Sequence, residues 1–108
     1  MSFRVKRRGA RNLLFPGQRS TSPRGVQLST GPLAAKTKEL LGLVASAVLR
    51  CDDCITYHLV RSAEEGWTRE EVIDALNVAL IVGGSITIPH VRRAFARMRE
   101  INGLKPNE

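Results

Sequence analysis

Two cysteines stand three positions apart near the middle of the chain, and a histidine follows four positions after the second. Cys51 and Cys54 form a Cys-x-x-Cys pair, and His58 is one helical turn beyond Cys54. Thiols at this spacing at the start of a helix can form a disulfide with little backbone change. A histidine on the same face can accept a thiol proton or stabilise the thiolate. The spacing therefore predicts thiol–disulfide chemistry.

Glu39 is the second candidate partner of the thiols. It is the first acid in the chain and lies on the first predicted helix. Suppose that two helices form an antiparallel hairpin that turns near Arg50. Glu39 then lies ~16–18 Å from the turn and His58 ~11–12 Å, at about 1.5 Å per residue. Side chains and one water could span this offset of roughly one turn. Glu39 could therefore act as a base that orients His58 or restores its protonation state.

The residues around the pair leave the nucleophilic sulfur undecided. A helix N-terminus favours a thiolate, which points to Cys51 as the cysteine nearer the helix start. His58 is instead placed to serve Cys54. Asp52 and Asp53 carry negative charge beside both thiols and oppose thiolate formation.

Zinc binding is the main alternative use of the pair. A tetrahedral zinc site needs four ligands, and Cys51, Cys54 and His58 supply three. The fourth could be His90, but it lies far along the chain beside Pro89, and we interpret it as a structural or exposed histidine. A zinc-stabilised scaffold without enzymatic activity and a pair of inert helix cysteines therefore remain alternatives.

Four helices are predicted to position these residues. Apolar residues recur at helical spacing, and glycine, proline and capping signals separate the segments. No stretch has a convincing strand period of two, so the fold class is predicted to be all-α. The predicted helices run from about Ala35 to Leu49, from Asp52 to the stop at Gly66, from the Thr68–Glu71 capping box to about Val82, and from Pro89 to near Asn102-Gly103.

The third predicted helix is apolar around nearly its whole circumference beyond the first turn. A helix of this kind must be buried on all sides. In a chain of 108 residues, that burial indicates contact with another subunit. No uninterrupted apolar run approaches the ~18 residues of a membrane span, so no membrane association is expected.

Positive charge is concentrated at the start of the chain. Residues 1–38 hold nine Lys or Arg and no acid, whereas residues 39–108 hold eight bases and ten acids, a net of 8 − 10 = −2. Glycine and proline interrupt residues 1–32, which are predicted to form a basic, flexible or surface-draped arm. An organelle presequence or a nucleic-acid-binding arm are alternatives. A slightly acidic body makes nucleic acid an unexpected partner for the domain.

The spacing Glu-x11-Cys-x-x-Cys-x-x-x-His, met by Glu39, Cys51, Cys54 and His58, resembles the carboxymuconolactone decarboxylase and AhpD-like (alkylhydroperoxidase D-like) family. The resemblance covers about residues 33–100 and includes the later segments Gly66-x-Thr-Arg-Glu-Glu-Val and Gly83-Gly84. It implies an AhpD-like helical domain over residues 33–104, with about four main helices. It also implies assembly into a trimer or hexamer.

The cysteine-bearing branch of that family implies a thiol-dependent peroxidase and disulfide reductase with an antioxidant role. By resemblance, Cys54 attacks peroxide and becomes a sulfenic acid, Cys51 resolves it as a disulfide, and Glu39 and His58 relay the proton. The other branch implies a decarboxylase-type lyase that does not depend on the pair. Asp53 stands where alkylhydroperoxidase D has a histidine, which favours disulfide exchange over fast peroxide turnover.

The resemblance also implies the partners. Electrons would come from a dihydrolipoyl or thioredoxin-like dithiol, and the substrate would be a small peroxide or disulfide. No flavin or nucleotide motif is present, so no cofactor and no metal are expected. A tight cysteine pair without a secretory signal indicates a reducing compartment. We expect the cytoplasm, or an organelle matrix if residues 1–32 are a presequence.

Overall fold

A computed structural model describes residues 30–107 of the chain. The described residues form four α-helices and a short 3₁₀ turn, and none of them lies in a strand, which confirms the all-α prediction. Most of the predicted basic arm, residues 1–32, lies outside the described residues. The helices are α1 (Ala35–Val48), α2 (Asp52–Glu64), α3 (Arg69–Gly83) and α4 (Ile88–Met98), with the 3₁₀ turn at Ser85–Thr87 before α4.

The turn between α1 and α2 falls at Arg50, where the hairpin was predicted. The Arg50 N–H donates to the Ala47 carbonyl at 3.0 Å, and the Cys51 N–H donates to the Ser46 carbonyl at 3.1 Å. This pair of bonds is a Schellman motif, which requires a left-handed residue after the helix. Arg50 takes that role with φ 60°. Helix α1 therefore ends at Val48, one residue earlier than predicted.

Helix α2 ends in the same motif, built on the glycine that was predicted to stop it. The Gly66 N–H donates to the Ala63 carbonyl at 3.0 Å, and the Trp67 N–H donates to the Ser62 carbonyl at 3.1 Å. Gly66 has φ 94°, a conformation that a residue without Cβ adopts easily.

Helix α3 begins with the predicted capping box. The Glu71 N–H donates to Thr68 Oγ1 at 3.2 Å, and the Thr68 N–H donates to Glu71 Oε1 at 2.9 Å. The helix extends to Gly83, and Gly84 follows with φ 81°. Reciprocal capping fixes where this helix starts, because it satisfies two backbone donors that otherwise lack partners.

Helix α4 differs from the prediction at both ends. It begins at Ile88, one residue before the predicted start at Pro89, directly after the 3₁₀ turn. It ends at Met98, several residues before the predicted end near Asn102-Gly103. The chain beyond Met98 continues in tight turns, with the Ile101 N–H donating to the Met98 carbonyl at 3.2 Å. Such i→i−3 bonds tighten the chain after a helix and do not extend it.

The core lies between the four helices and is almost entirely aliphatic. The largest fully buried apolar residues come from all four helices and from the turn after α4. They are Leu43, Ile55, Leu59, Val72, Leu76, Met98 and Leu104. These residues all lie in the second of the chain's two compact units, which begins at Glu39.

Within the single chain, α3 is not buried on all sides, and its predicted contact with another subunit stays a prediction. Val78, Ile81 and Val82 are 49%, 81% and 69% exposed. Only one side of the helix meets the core, through Val72 and Leu76, because three neighbouring helices cannot enclose a fourth. Among residues 30–107, no helix has the length and apolar character needed to cross a membrane.

Candidate active site

Both cysteines lie at the N-terminus of α2, as the spacing predicted. Cys51 is the N-cap residue, with extended φ −105° and ψ 99°, and its Sγ accepts the Cys54 N–H at 3.3 Å. A sulfur thus takes the place that a serine, threonine or aspartate oxygen usually fills at a helix start. Both side chains are thiols and partly exposed, so a small molecule can reach them.

His58 and Glu39 are in direct contact. His58 Nδ1 lies 2.9 Å from Glu39 Oε1, and both side chains are buried, with Glu39 only 2% exposed. Because a carboxylate can only accept, the imidazole donates through Nδ1, which leaves Nε2 as the nitrogen that can take up a proton. The contact confirms the antiparallel hairpin. The predicted bridging water is not needed.

Gly42 explains why the two side chains touch. A Cβ at this position of α1 would lie 2.6 Å from His58 Cε1 and 2.9 Å from both ring nitrogens. The imidazole therefore packs against the backbone of α1, in space that any other residue would fill. No role was predicted for Gly42 from the sequence. The position of Gly42, one helical turn after Glu39, was the sequence signal that could have indicated this close packing.

Arg61 is a member of the site that sequence reasoning missed. Its Nε lies 3.4 Å from Glu39 Oε2, the carboxylate oxygen that His58 does not use. Arg61 also pairs with Glu64 and with Glu65. The hydrogen bond to Glu64 in particular raises the pKa of the Arg61 guanidinium above its usual range. Arg61 therefore stays cationic beside the buried Glu39, as a buried carboxylate requires.

Helix α4 contributes two residues that bind the first turn of α2. His90 Nδ1 lies 2.8 Å from Asp52 Oδ1, and Arg93 Nε donates to Asp52 Oδ2 at 3.0 Å. The hydrogen bond from His90, followed by Arg93, holds the pKa of the Asp52 carboxyl below its ordinary value of 3.8. The negative charge that was expected to act against the thiols is therefore compensated at Asp52. His90, which was predicted to be structural or exposed, makes a side-chain contact with α2.

The four ligands of the zinc alternative are not brought together. In the described part of the chain, no three His, Cys, Asp or Glu side chains are grouped so that they could hold a metal ion. His90 Nδ1 is engaged by Asp52, and His58 Nδ1 by Glu39. These contacts support proton handling and ion pairing by the two histidines and give the zinc scaffold no support.

Comparison with known families shows to which family the chain belongs. The family model described as the carboxymuconolactone decarboxylase family matches residues 23–97, which include the whole site. The chain belongs to this family. Among curated relatives, an uncharacterized protein of the cox locus of Paracoccus denitrificans is 31% identical over 78 residues, covering 72% of this chain and 70% of that protein. An uncharacterized protein of Cupriavidus necator is 28% identical over 72 residues, covering 67% of this chain and 64% of that protein.

A solved relative has the same fold. The chain is similar to a carboxymuconolactone decarboxylase family protein of Thermotoga maritima, for which a part in the antioxidative response has been suggested. The identity is 59% and the TM-score 0.68, over 70% of this chain and 78% of the Thermotoga chain. A second crystal structure of the Thermotoga protein matches with the same identity and TM-score. The fold and family expected from the motif are thus confirmed.

Proposed function

We propose that this chain is a thiol-dependent oxidoreductase with an antioxidant role, which reduces peroxides or disulfides by cycling Cys51 and Cys54 between dithiol and disulfide. The observation that carries the proposal is the geometry of α2. Both thiols lie at its N-terminus, and one turn below Cys54 is a histidine hydrogen-bonded to a buried carboxylate. The antioxidative role suggested for the Thermotoga relative supports the same reaction class.

In the peroxidase reaction, the Cys54 thiolate attacks a peroxide oxygen. An S–O bond forms, the O–O bond breaks, and the departing alkoxide or hydroxide takes the proton that His58 removed from the thiol. The Cys51 sulfur then attacks the sulfenic acid of Cys54. The S–S bond forms, and hydroxide leaves as water with the Cys51 proton. The two sulfurs are oxidised by two electrons, and the peroxide is reduced by two.

Glu39 and His58 supply the proton transfers in this scheme. With Nδ1 donating to Glu39, the Nε2 of His58 is the nitrogen that acts first as a base and later as an acid. The Glu39 carboxylate stabilises the imidazolium while the proton is held. Arg61 keeps the second carboxylate oxygen engaged, so that Glu39 has a defined orientation.

A dithiol reductant closes the cycle. One of its thiolates attacks the Cys51–Cys54 disulfide, and its second thiol displaces the mixed disulfide, which returns two thiols to the chain and leaves the reductant as a disulfide. A dihydrolipoyl group or a thioredoxin-like protein has this chemistry. The cycle balances without a cofactor and suits a reducing compartment such as the cytoplasm.

The working form is proposed to be a homo-oligomer, a trimer or a hexamer. The exposed side chains Val78, Ile81 and Val82 lie on one side of α3, at i, i+3 and i+4. Ile86 continues the apolar surface beyond the helix and is also exposed. An exposed apolar surface of this kind marks an interaction site.

A decarboxylase-type lyase is the second candidate, because the family model is named for that activity. The contact between His58 and Glu39 could also serve proton transfer to a carbon acid. The two candidates differ in their need for sulfur. Replacing both cysteines by serine abolishes peroxide and disulfide reduction, whereas a lyase would keep its activity toward a lactone acid.

The test of the proposal is peroxide consumption and small-disulfide reduction with dihydrolipoamide as reductant. Cys54→Ser and Cys51→Ser should each lose turnover. Glu39→Gln should lower the rate by about 100-fold, the lower end of what general acid–base catalysis contributes. Glu64→Gln is the matched control, since it removes an exposed carboxylate from the same Arg61. Full activity in Cys54→Ser, or equal losses in Glu39→Gln and Glu64→Gln, would overturn the mechanism.

A further inference from the structure

The first turn of α2 carries an ion-pair cluster that the proposed reaction does not use. It consists of Asp52, His90 and Arg93, in which both carboxylate oxygens of Asp52 are occupied by side chains of α4. His90 and Arg93 are one helical turn apart on α4, so both face α2. Arg97, one turn further, donates to Thr56 Oγ1 at 2.6 Å. The contacts advance in the same direction along both helices, which therefore run parallel.

The position of Asp52 makes its charge relevant to the thiols. It directly follows Cys51 and precedes Cys54 by two residues, and consecutive Cα atoms are only about 3.8 Å apart. An uncompensated carboxylate on an adjacent residue disfavours a thiolate. The cluster compensates this charge with Arg93, which is always cationic, and with a donated N–H of His90. The other charged neighbours on the turn, Asp53 and Arg50, are exposed and of opposite sign.

We propose that Arg93 and His90 are positioning residues for the redox pair, which offset the charge of Asp52 and so allow a thiolate to form at the N-terminus of α2. The sequence places one acid directly between the N-cap sulfur and the rest of the helix. In the folded chain, Arg93 of α4 places a positive charge against the carboxylate of Asp52. Arg93 therefore contributes to the reactivity of the thiols without touching either sulfur.

This inference rests on the proposed redox function for its purpose, but its test does not. Iodoacetamide is a neutral reagent that alkylates thiolates, so its rate reports each sulfur directly, whether or not the protein turns over peroxide. Rates are measured between pH 5 and 9 on the full chain, and the modified cysteine is identified by peptide mass spectrometry. The faster-reacting cysteine is followed in every variant.

Arg93→Gln should slow alkylation at pH 7 by about three- to tenfold, since a charge effect at a partly exposed site is moderate. Its pH profile should shift toward higher pH. Arg93→Lys should retain a rate within about twofold of wild type, because it keeps the charge. Arg92→Gln is the matched control and should leave the rate unchanged, because it removes the neighbouring arginine of α4, which is exposed.

The decisive comparison adds Asp52→Asn to Arg93→Gln. Without the carboxylate there is no charge to offset, so Arg93→Gln should have no further effect in the Asp52→Asn background. Equal rates in Arg93→Gln and Arg92→Gln would overturn the inference. So would an Arg93→Gln effect of the same size with and without Asp52, since this would show that Arg93 acts by another route.

Discussion

Gly42 is the residue on which the geometry of the proposed proton relay depends. The absence of a side chain at this point of α1 allows the His58 ring to contact the helix backbone and to reach Glu39 at 2.9 Å. The buried carboxylate then has His58 on one oxygen and Arg61 on the other. The contact between His58 and Glu39 therefore depends on the absence of a Cβ at Gly42 as well as on the polar groups themselves.

Gly42→Ala tests this role through the sign of its effect on stability. Helix propensity alone would stabilise the protein by about 1 kcal/mol. A Cβ that lies 2.6 Å from His58 Cε1 must instead displace the ring. We expect a loss of about 1–3 kcal/mol in the free energy of unfolding, as for other overpacked sites, together with lower turnover.

Urea unfolding and the dihydrolipoamide assay measure both effects. Leu41→Ala is a suitable control, because it changes the neighbouring, exposed position of the same helix. A Gly42→Ala protein that is more stable than wild type and fully active would show that the close packing of His58 has no part in the site.

At the scale of the elements, two helix ends use one motif with different residues. The Schellman turns after α1 and α2 have matching hydrogen bonds, but the left-handed position is Gly66 in one and Arg50 in the other. A left-handed conformation costs a residue with a Cβ roughly 1–2 kcal/mol. The turn that precedes Cys51 is thus the more strained of the two.

Arg50→Gly should therefore raise the free energy of unfolding. The expected gain is about 0.5–1 kcal/mol, because the greater entropy of glycine in the unfolded chain offsets part of the relieved strain. Thermal or chemical unfolding measures the difference, with Gly66→Ala as the reverse substitution, which should destabilise. A destabilised Arg50→Gly protein would mean that the arginine side chain contributes more than its backbone costs.

The ion pairs that join Asp52 of α2 to His90 and Arg93 of α4 predict that stability depends on pH. The pKa of Asp52 is lowered in the folded protein, first by His90. Its contribution to stability is therefore present above the ordinary value of 3.8 and is lost as the pH falls through the lower folded value. The stability difference between wild type and Asp52→Asn should shrink as the pH falls below about 4. A difference that stays constant or grows in acid would contradict the ion pair.

Local signals made part of this fold predictable. The Thr68–Glu71 capping box and the stop at Gly66 depend on a few neighbouring residues, so sequence alone located them. The hairpin register placed Glu39 near His58 to within one helical turn, which was enough to pair them. Their direct contact was not predictable, because it depends on how closely α1 and α2 approach at Gly42.

Other parts of the site differ in how far the sequence could indicate them. Glu39 and Arg61 are each eleven positions from Arg50, so the hairpin that brings Glu39 near His58 also brings it near Arg61, a consequence that was missed. His90 reaches Asp52 across 38 positions of sequence, and no periodicity or spacing rule encodes such a pair. The early end of α4 at Met98 was missed for another reason. Asn102 and Gly103 mark a turn beyond the helix and not the end of the helix itself.

At the scale of the whole molecule, α3 has an exposed apolar face in the single chain. Ile81 is the most exposed of its apolar residues, at 81%. The proposed oligomer would bury this face and supply the enclosure that the all-round apolar pattern of α3 requires.

Ile81→Lys should disrupt this assembly, because it places a charge in an apolar contact. We expect sedimentation to show a shift from trimer or hexamer toward monomer. Asn102→Lys, which introduces the same charge at an exposed polar position outside α3, should keep the wild-type mass. A monomeric wild-type protein, or an oligomer unaffected by Ile81→Lys, would contradict the proposed interface.

The central claim is that Cys51 and Cys54 form a disulfide as the protein reduces its substrate. The most direct test is mass spectrometry of the fully reduced chain before and after one equivalent of hydrogen peroxide, with dihydrolipoamide then added. The account predicts a loss of two hydrogen masses, a peptide in which Cys51 is joined to Cys54, and full recovery of the dithiol with the reductant. A chain that keeps both thiols, or that is oxidised only to irreversible acids of sulfur, would contradict it.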